Sequence, residues 1–296
     1  MAILSIQSHV VYGCVGNSAA VFPMQRMGYE VWAINTVEFS NHTGYGAWRG
    51  DVLSAKLVDE LVCGLEDRCI LNRCNAVLSG YLGDPKIGSA LGGIVQKVKS
   101  KNPHALYCCD PVMGDVDTGL YVSKDIPKIF AENLMPLADI VTPNQFELET
   151  ICKTDTSTIE GALYAINILH DMGPSIVLVT SYNEKNSDDA HISMIASCRT
   201  LLGKCSIEYI TTPRIPFKGI ISGCGDLTSA VFLAEYLSSA CIKTALEKTA
   251  SSVFGVLKNT YELQANELQL TQSQEEFIHP ANCFKCKTLA THGEKQ

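Results

Sequence analysis

Ala105-Leu106-Tyr107-Cys108-Cys109-Asp110 and, further along, Asp139-Ile140-Val141-Thr142-Pro143-Asn144-Gln145-Phe146-Glu147 are the two segments on which the fold turns. Ala105 to Cys109 and Ile140 to Thr142 read as short buried strands, and the amphipathic stretch 124–134 between them reads as a helix. The same alternation extends upstream. Ile3 to Ile6, Val31 to Val37 and Ala76 to Ser79 read as strands, with helices expected near 17–27, 55–66 and 86–101. Downstream, helices are expected from Asn144 to about Cys152 and over 158–172, followed by the apolar run Ile176 to Val179, short enough for a buried strand. Residues 183–190 read as a surface loop, and 191–198 with 205–211 as two strands of an antiparallel edge. From Asp226 to the early 260s the pattern is helical. The expected class is α/β, a central mostly parallel sheet flanked by helices on both faces. No repeat or Pro/Gly-rich linker interrupts the chain, so 1–270 is expected to form a single domain and 271–296 a polar C-terminal tail.

Composition narrows the function. Hydrophobic residues make up 46% of the 296 residues and charged residues 18%, against about 25% in an average soluble domain. That favours a large core and excludes disorder. A formal charge of -8, with the densest basic runs only Lys97 to Lys101 and Lys285 to Lys287, argues against a nucleic-acid partner. The thirteen cysteines are odd in number and several lie in apolar runs, which suits reduced thiols in a cytoplasmic protein better than a secreted framework. No apolar run approaches the ~20 residues of a membrane span, and the first residues carry no basic leader pattern, so no membrane association is expected.

Several familiar motifs fail. Gly203-Lys204 is followed by Cys205 and preceded at the required spacing by Cys198, so there is no P-loop. Gly13-Cys14-Val15-Gly16 and Gly44-Tyr45-Gly46 both lack the third glycine of a dinucleotide fingerprint. The serine-hydrolase and zinc-protease signatures are missing, and Cys283-x-x-Cys286 has no second pair with which to hold zinc.

What remains is a constellation. Ser222-Gly223-Cys224-Gly225-Asp226-Leu227-Thr228 sets two glycines before a long apolar helix. Glycines admit a ligand to the backbone, and the free amides of a helix N-terminus attract negative charge. Asp226 would stand beside that anion hole as a base, or simply favour the helix dipole. Asn144 and Glu147 have capping-box spacing, a sufficient structural reason for both. Equally, Glu147 lies at the carboxyl end of a strand, where ligands of open α/β sheets collect and where it could hold water around Mg²⁺. Asp110 follows another strand end. Three acids separated in sequence thus point to one edge of the sheet. Gln7-Ser8-His9-Val10 and Ser40-Asn41-His42-Thr43-Gly44-Tyr45-Gly46 follow strands with groups suited to a polar ring, although His9 and His42 read more simply as structural histidines.

Taken together, Ser5 to Gly13, Phe39 to Tyr45, Cys109 to Gly114, Thr142 to Glu147 and Gly223 to Asp226 resemble the pyridoxal kinase family of the ribokinase superfamily, over roughly residues 3–240. The resemblance implies a ribokinase-like α/β/α sandwich that transfers the ATP γ-phosphoryl group to the 5′-hydroxyl of pyridoxal, and of pyridoxine and pyridoxamine, in vitamin B6 salvage. It implies Asp226 as general base on the substrate hydroxyl, with Gly223, Cys224 and Gly225 offering amides to the phosphoryl group. Asp110 and Glu147 would hold Mg²⁺ with Thr142 nearby, and Thr180 and Ser181 would meet phosphate. Ser8, Thr43 and Tyr81 would hold the vitamin ring, and Pro213, Arg214 and Ile215, within 212–221, would line the adenine pocket. Cys224 stands where relatives often have Thr; a backbone role tolerates this, with sensitivity to thiol reagents expected. A monovalent cation such as K⁺ and a homodimer belong to the same implication. The rival readings are a hydroxymethylpyrimidine kinase of the same fold, a non-catalytic B6-vitamer-binding protein and, lacking its glycine fingerprint, an NAD-dependent oxidoreductase.

Overall fold

In the computed structural model, which describes residues 1–185, 187–200 and 202–289, the chain begins with β1 (Ala2–Tyr12), α1 (Asn17–Arg26), β2 (Glu30–Asn41) and β3 (Gly50–Val52). It continues through α2 (Ala55–Asp67), β4 (Cys74–Ser79), α3 (Pro85–Lys101) and β5 (Leu106–Cys109) to a small hairpin of β6 (Gly114–Asp115) and β7 (Gly119–Leu120). There follow α4 (Ile126–Ile129), β8 (Ile140–Val141), α5 (Gln145–Cys152), α6 (Ile159–Met172) and three strands, β9 (Ile176–Tyr182), β10 (His191–Arg199) and β11 (Cys205–Pro213). Two long helices, α7 (Cys224–Ser239) and α8 (Ile242–Glu262), precede the last strand, β12 (Lys287–Leu289).

Among the described residues the main sheet runs β12-β11-β10-β9-β8-β5-β4-β1-β2-β3. Its centre, from β2 to β9, is parallel, and β3 and β10 to β12 are antiparallel additions at the two edges. Alternate strand residues face opposite layers. Leu4, Ile6, Val77, Tyr107, Val141 and Val177 pack on α2, α3 and α6, while Ile3, Ala76, Leu78, Cys108, Ile140 and Ile176 pack on α1, α7 and α8. This is the expected ribokinase-like sandwich. The strand alternation expected from sequence is present in order, including the antiparallel pairing of 191–199 with 205–213.

Three expectations need correction. The helix expected over 124–134 is a single turn of α-helix to Ile129 followed by a wider π turn over Phe130–Leu134, which lets Phe130, Leu134 and Met135 all reach the core ahead of Pro136. The helical pattern from Asp226 to the early 260s is two helices, broken where Ala240 takes a left-handed conformation (φ 49°). Finally, the described part of the 271–296 tail is docked rather than loose. Phe277 is buried beside Leu268 and Leu270, Phe284 meets Phe254 edge to face at 5.0 Å, and β12 extends the sheet beyond β11. Its sparse apolar residues are spaced without period, which is why the tail read as merely polar; 290–296 lie outside the described residues. All thirteen cysteines are free thiols, Cys283 and Cys286 included.

Candidate active site

At the carboxyl edge of the parallel strands lies a cavity of about 920 Å³ whose lining follows the strand order. From one end to the other it meets Phe39 of β2 and Thr43 just after it, Ser8 of β1, Tyr81 after β4, Asp110 after β5, Thr142 after β8, Thr180 of β9, Met194 of β10 and Thr212 of β11. Seven strand spacings of roughly 4.8 Å make this an elongated cleft of about 33 Å. It is long enough for two small molecules end to end, and its volume is near the top of the range for a single ligand, about 300–1,000 Å³.

The floor of the cleft's middle is the N-terminus of α7. Gly223 caps it at φ 84°, and a β-carbon there would lie 1.7 Å from the Cys14 carbonyl oxygen, so the position requires glycine on both counts. Gly225, in the first turn, is different: nothing stands within 4 Å of where its β-carbon would be, and the open space is the cleft. The amides of Cys224, Gly225 and Asp226 precede the helix's first internal bond, from Leu227 N–H to the Gly223 carbonyl. Residues Leu227 to Glu235 are buried, so α7 is a central helix held on all sides with its positive end fixed toward the cleft.

Asp110, Glu147 and Asp226 meet above it. Burial pushes the Asp226 carboxyl up to about 6, opposed by the backbone amides of Gly16 and of Asp226 itself. Glu147 is raised to about 8, first by burial and further by Asp226, against the amides of Asn144, Met113 and Gly114. Asp110 is raised well above the usual carboxylate range by burial and by the charges of Glu147 and Asp226. Arg214 is the one Lys or Arg among the described lining residues. Buried negative charge without a cationic side chain is costly and suits a hard divalent cation. Among the described residues no three His, Cys, Asp or Glu side chains are arranged to hold an ion alone.

Glu147 serves the cap as well as the charge. Its Oε2 accepts from Asn144 N–H at 2.9 Å and its Oε1 from Met113 N–H at 3.0 Å, while Asn144 Oδ1 accepts from Glu147 N–H at 2.8 Å. The capping box therefore fixes the carboxylate that faces the acids.

A sequence-family model described as phosphomethylpyrimidine kinase matches residues 54–271. A pyridoxal kinase PdxY of Rubrobacter xylanophilus is 47% identical over 289 residues, covering 97% of each chain, and one of Leifsonia xyli is 45% identical, covering 96% of this chain and 98% of its own. The chain belongs to the pyridoxal kinase family. Its fold agrees with that of a family member from Leishmania donovani solved with ADP and pyridoxamine, at a TM-score of 0.91 and 30% identity over 98% of this chain and 99% of that one. The protein is thus a phosphotransferase of that family with the ribokinase-like fold.

For a pyridoxal kinase the cleft has two chemically distinct ends. Ser8 sits where the β1–β2 register slips between Gln7 and His9, beside Tyr81 and an apolar wall of Val10, Val15, Val37 and Phe39. Thr43 begins the turn over this end. At the other end Thr180, Ser181, Pro213, Arg214 and Ile215 line the cleft with Phe254 and Leu257. The structure brings every site residue named from sequence into this one cavity. Burial raises the Cys224 thiol to about 12, which disfavours the thiolate, although the residue lines the cleft.

Sequence reading missed Gly16, Ser229 and Glu267. The Gly16 amide favours the charged form of the Asp226 carboxyl, against its burial. Ser229, fully buried one turn after Asp226 on α7, donates to Asp110 Oδ2 at 2.9 Å and lies 2.8 Å from Thr142 Oγ1. Helical spacing from Asp226 puts Ser229 on a neighbouring face, but only the assembled sheet shows that it meets Asp110. Glu267, buried near residue 270, where the domain was expected to end, carried no sequence signal.

Proposed function

We propose that the protein transfers the γ-phosphoryl group of ATP to the 5′-hydroxyl of pyridoxal, and of pyridoxine and pyridoxamine, giving pyridoxal 5′-phosphate from the aldehyde in B6 salvage. The observation that carries this is the meeting of Asp110, Glu147 and Asp226 over the α7 N-terminus, at the midpoint of a two-ended cleft. Ser8, Thr43 and Tyr81 hold the ring at the apolar end, which directs its hydroxymethyl group toward Asp226. Asp226, ionised above its raised value of about 6, takes the hydroxyl proton as the oxygen attacks. The amides of Gly223, Cys224 and Gly225 face the charge on the transferring group without rearrangement. Thr180 and Ser181 meet the remaining phosphates, and Pro213, Arg214 and Ile215 line the base. Asp110 and Glu147 hold Mg²⁺, directly or through water, with Thr142 beside them; when bound, the ion neutralises phosphate charge.

Incubating the purified protein with ATP, Mg²⁺ and each B6 vitamer tests the proposal. ADP and phosphorylated vitamer should appear in equal amounts. The description of the matching family model favours one second reading, kinase activity on hydroxymethylpyrimidine. That compound in competition with pyridoxal separates the two, the Ser8 and Asn41-His42-Thr43 segments favouring pyridoxal. The family resemblance also supports a homodimer, a K⁺ ion near the nucleotide and a cytoplasmic location. Light scattering and exchange of KCl for NaCl test the first two. Among the described residues no helix is long and apolar enough to cross a membrane.

A further inference from the structure

The turn Thr43–Tyr45 covers the apolar end of the cleft, yet none of its residues is buried. Packing does not hold it there; polar contacts do. The Tyr45 hydroxyl donates to Glu267 Oε1, and its ring, 52% exposed, leans on Tyr12 at 6.2 Å. Behind the turn, His42 Nδ1 accepts from Gly44 N–H at 3.1 Å and lies 3.3 Å from Ser222 Oγ.

Glu267 itself is only 9% exposed and is held by the chain that follows it, where Leu268 and Leu270 are buried against Leu227 and Phe277. Its second oxygen, Oε2, accepts from Cys14 N–H at 3.1 Å. Cys14 belongs to the 13–16 loop, whose Cys14 carbonyl is pressed against Gly223, three residues before Asp226, and whose Gly16 amide favours the charged Asp226 carboxylate. One carboxylate therefore ties the cover of the acceptor end to the loop that orients the base and abuts the anion hole. Buried acid with no cation beside it would be an expensive way merely to fasten two loops, since apolar packing could do so. A polar tie that breaks and reforms suits a cover that must admit a substrate.

Resting on the kinase reading above, we propose that Glu267 is a positioning residue. Through Tyr45 it closes the 43–45 turn over the acceptor, and through Cys14 it holds the loop that aligns Asp226, so that closure and alignment occur together. Tyr45→Phe, Glu267→Gln and the double variant test it by steady-state kinetics, with acceptor-free ATP hydrolysis measured alongside. Tyr45→Phe removes one hydroxyl from an exposed ring, so the fold should keep its thermal midpoint. Its KM for pyridoxal should rise about tenfold, the weight of a hydrogen bond to a charged group, with KM for ATP within about twofold. Glu267→Gln should raise the pyridoxal KM and also lower kcat, because only that variant disturbs Cys14. The double variant should match Glu267→Gln alone, since both changes break the same tie. ATP hydrolysis per transfer should increase in each. A pyridoxal KM unchanged in Tyr45→Phe, or fully additive effects in the double variant, would overturn the proposal. A wild-type protein that phosphorylates no B6 vitamer would instead sink the kinase reading on which it rests.

Discussion

Asp226 is the residue whose environment most directly shapes the chemistry. Burial raises its carboxyl, so the protonated form, which cannot serve as the proposed base, persists to about pH 6. The free-enzyme profile of kcat/KM should accordingly rise with pH through that value, and a limb centred near pH 4, the ordinary range of Asp, would contradict the environment described. Glu147 shows how one side chain can satisfy two readings. The capping box is complete, and the same carboxylate also accepts from Met113 N–H. A Gln there retains one oxygen and turns an N–H toward a backbone donor. Glu147→Gln should therefore raise the Mg²⁺ requirement and also cost about 1–3 kcal/mol in urea unfolding. An effect on stability alone would leave Glu147 a cap and nothing more. Ser229→Ala, which removes a donor to Asp110, should raise the Mg²⁺ concentration for half-maximal rate while leaving the pyridoxal KM unchanged.

At the scale of elements, the two glycines of the α7 entry have opposite reasons to be glycine. Gly223 is fixed by its own backbone and by Cys14; Gly225 stands in open space in a helical first turn. Gly223→Ala should unfold or strongly destabilise the protein. Gly225→Ala should leave stability equal or raised by up to about 1 kcal/mol, the helix propensity difference, while lowering turnover. Equal stability and undiminished turnover in Gly225→Ala would remove the cleft-facing role of that turn. The strand–helix order was readable because β4, β5, β8 and β9 are short, largely buried apolar runs, and Asp110, Glu147 and Asp226 were readable because the first follows such a strand and the other two lie in the first turns of helices. The break at Ala240 was not, since both helices present apolar faces to the same layer. Nor were Ser229 and Glu267, whose partners lie 119 and 222 residues away and are joined to them only by the sheet order.

Over the whole molecule, the carboxylate cluster sets a pH dependence of stability opposite to the familiar acid loss. Glu147 is raised from 4.5 to about 8 and Asp226 from 3.8 to about 6, so the folded state holds more protons than the unfolded one between those values. Stability from these groups is fully present below about pH 4 and declines as pH rises toward 8. Urea midpoints of the free protein should fall across this interval, and saturating Mg²⁺ with ATP should flatten the fall. A midpoint that rises steadily from pH 5 to 8 in the free protein would show that the acids are not clustered as described. On the proposed reading the two ends of the cleft act together: one takes a small polar ring against an apolar wall, the other a polyanion, with the α7 N-terminus between them.

The most direct test of that arrangement is the turnover of Asp226→Asn with ATP, Mg²⁺ and pyridoxal, measured beside its Kd for ATP and its thermal midpoint. The expected result is a kcat lower by about 10²–10⁴ with nucleotide affinity and fold retained. Turnover equal to that of the unaltered protein would contradict the assignment of Asp226 as the base and, with it, the reading of the cleft.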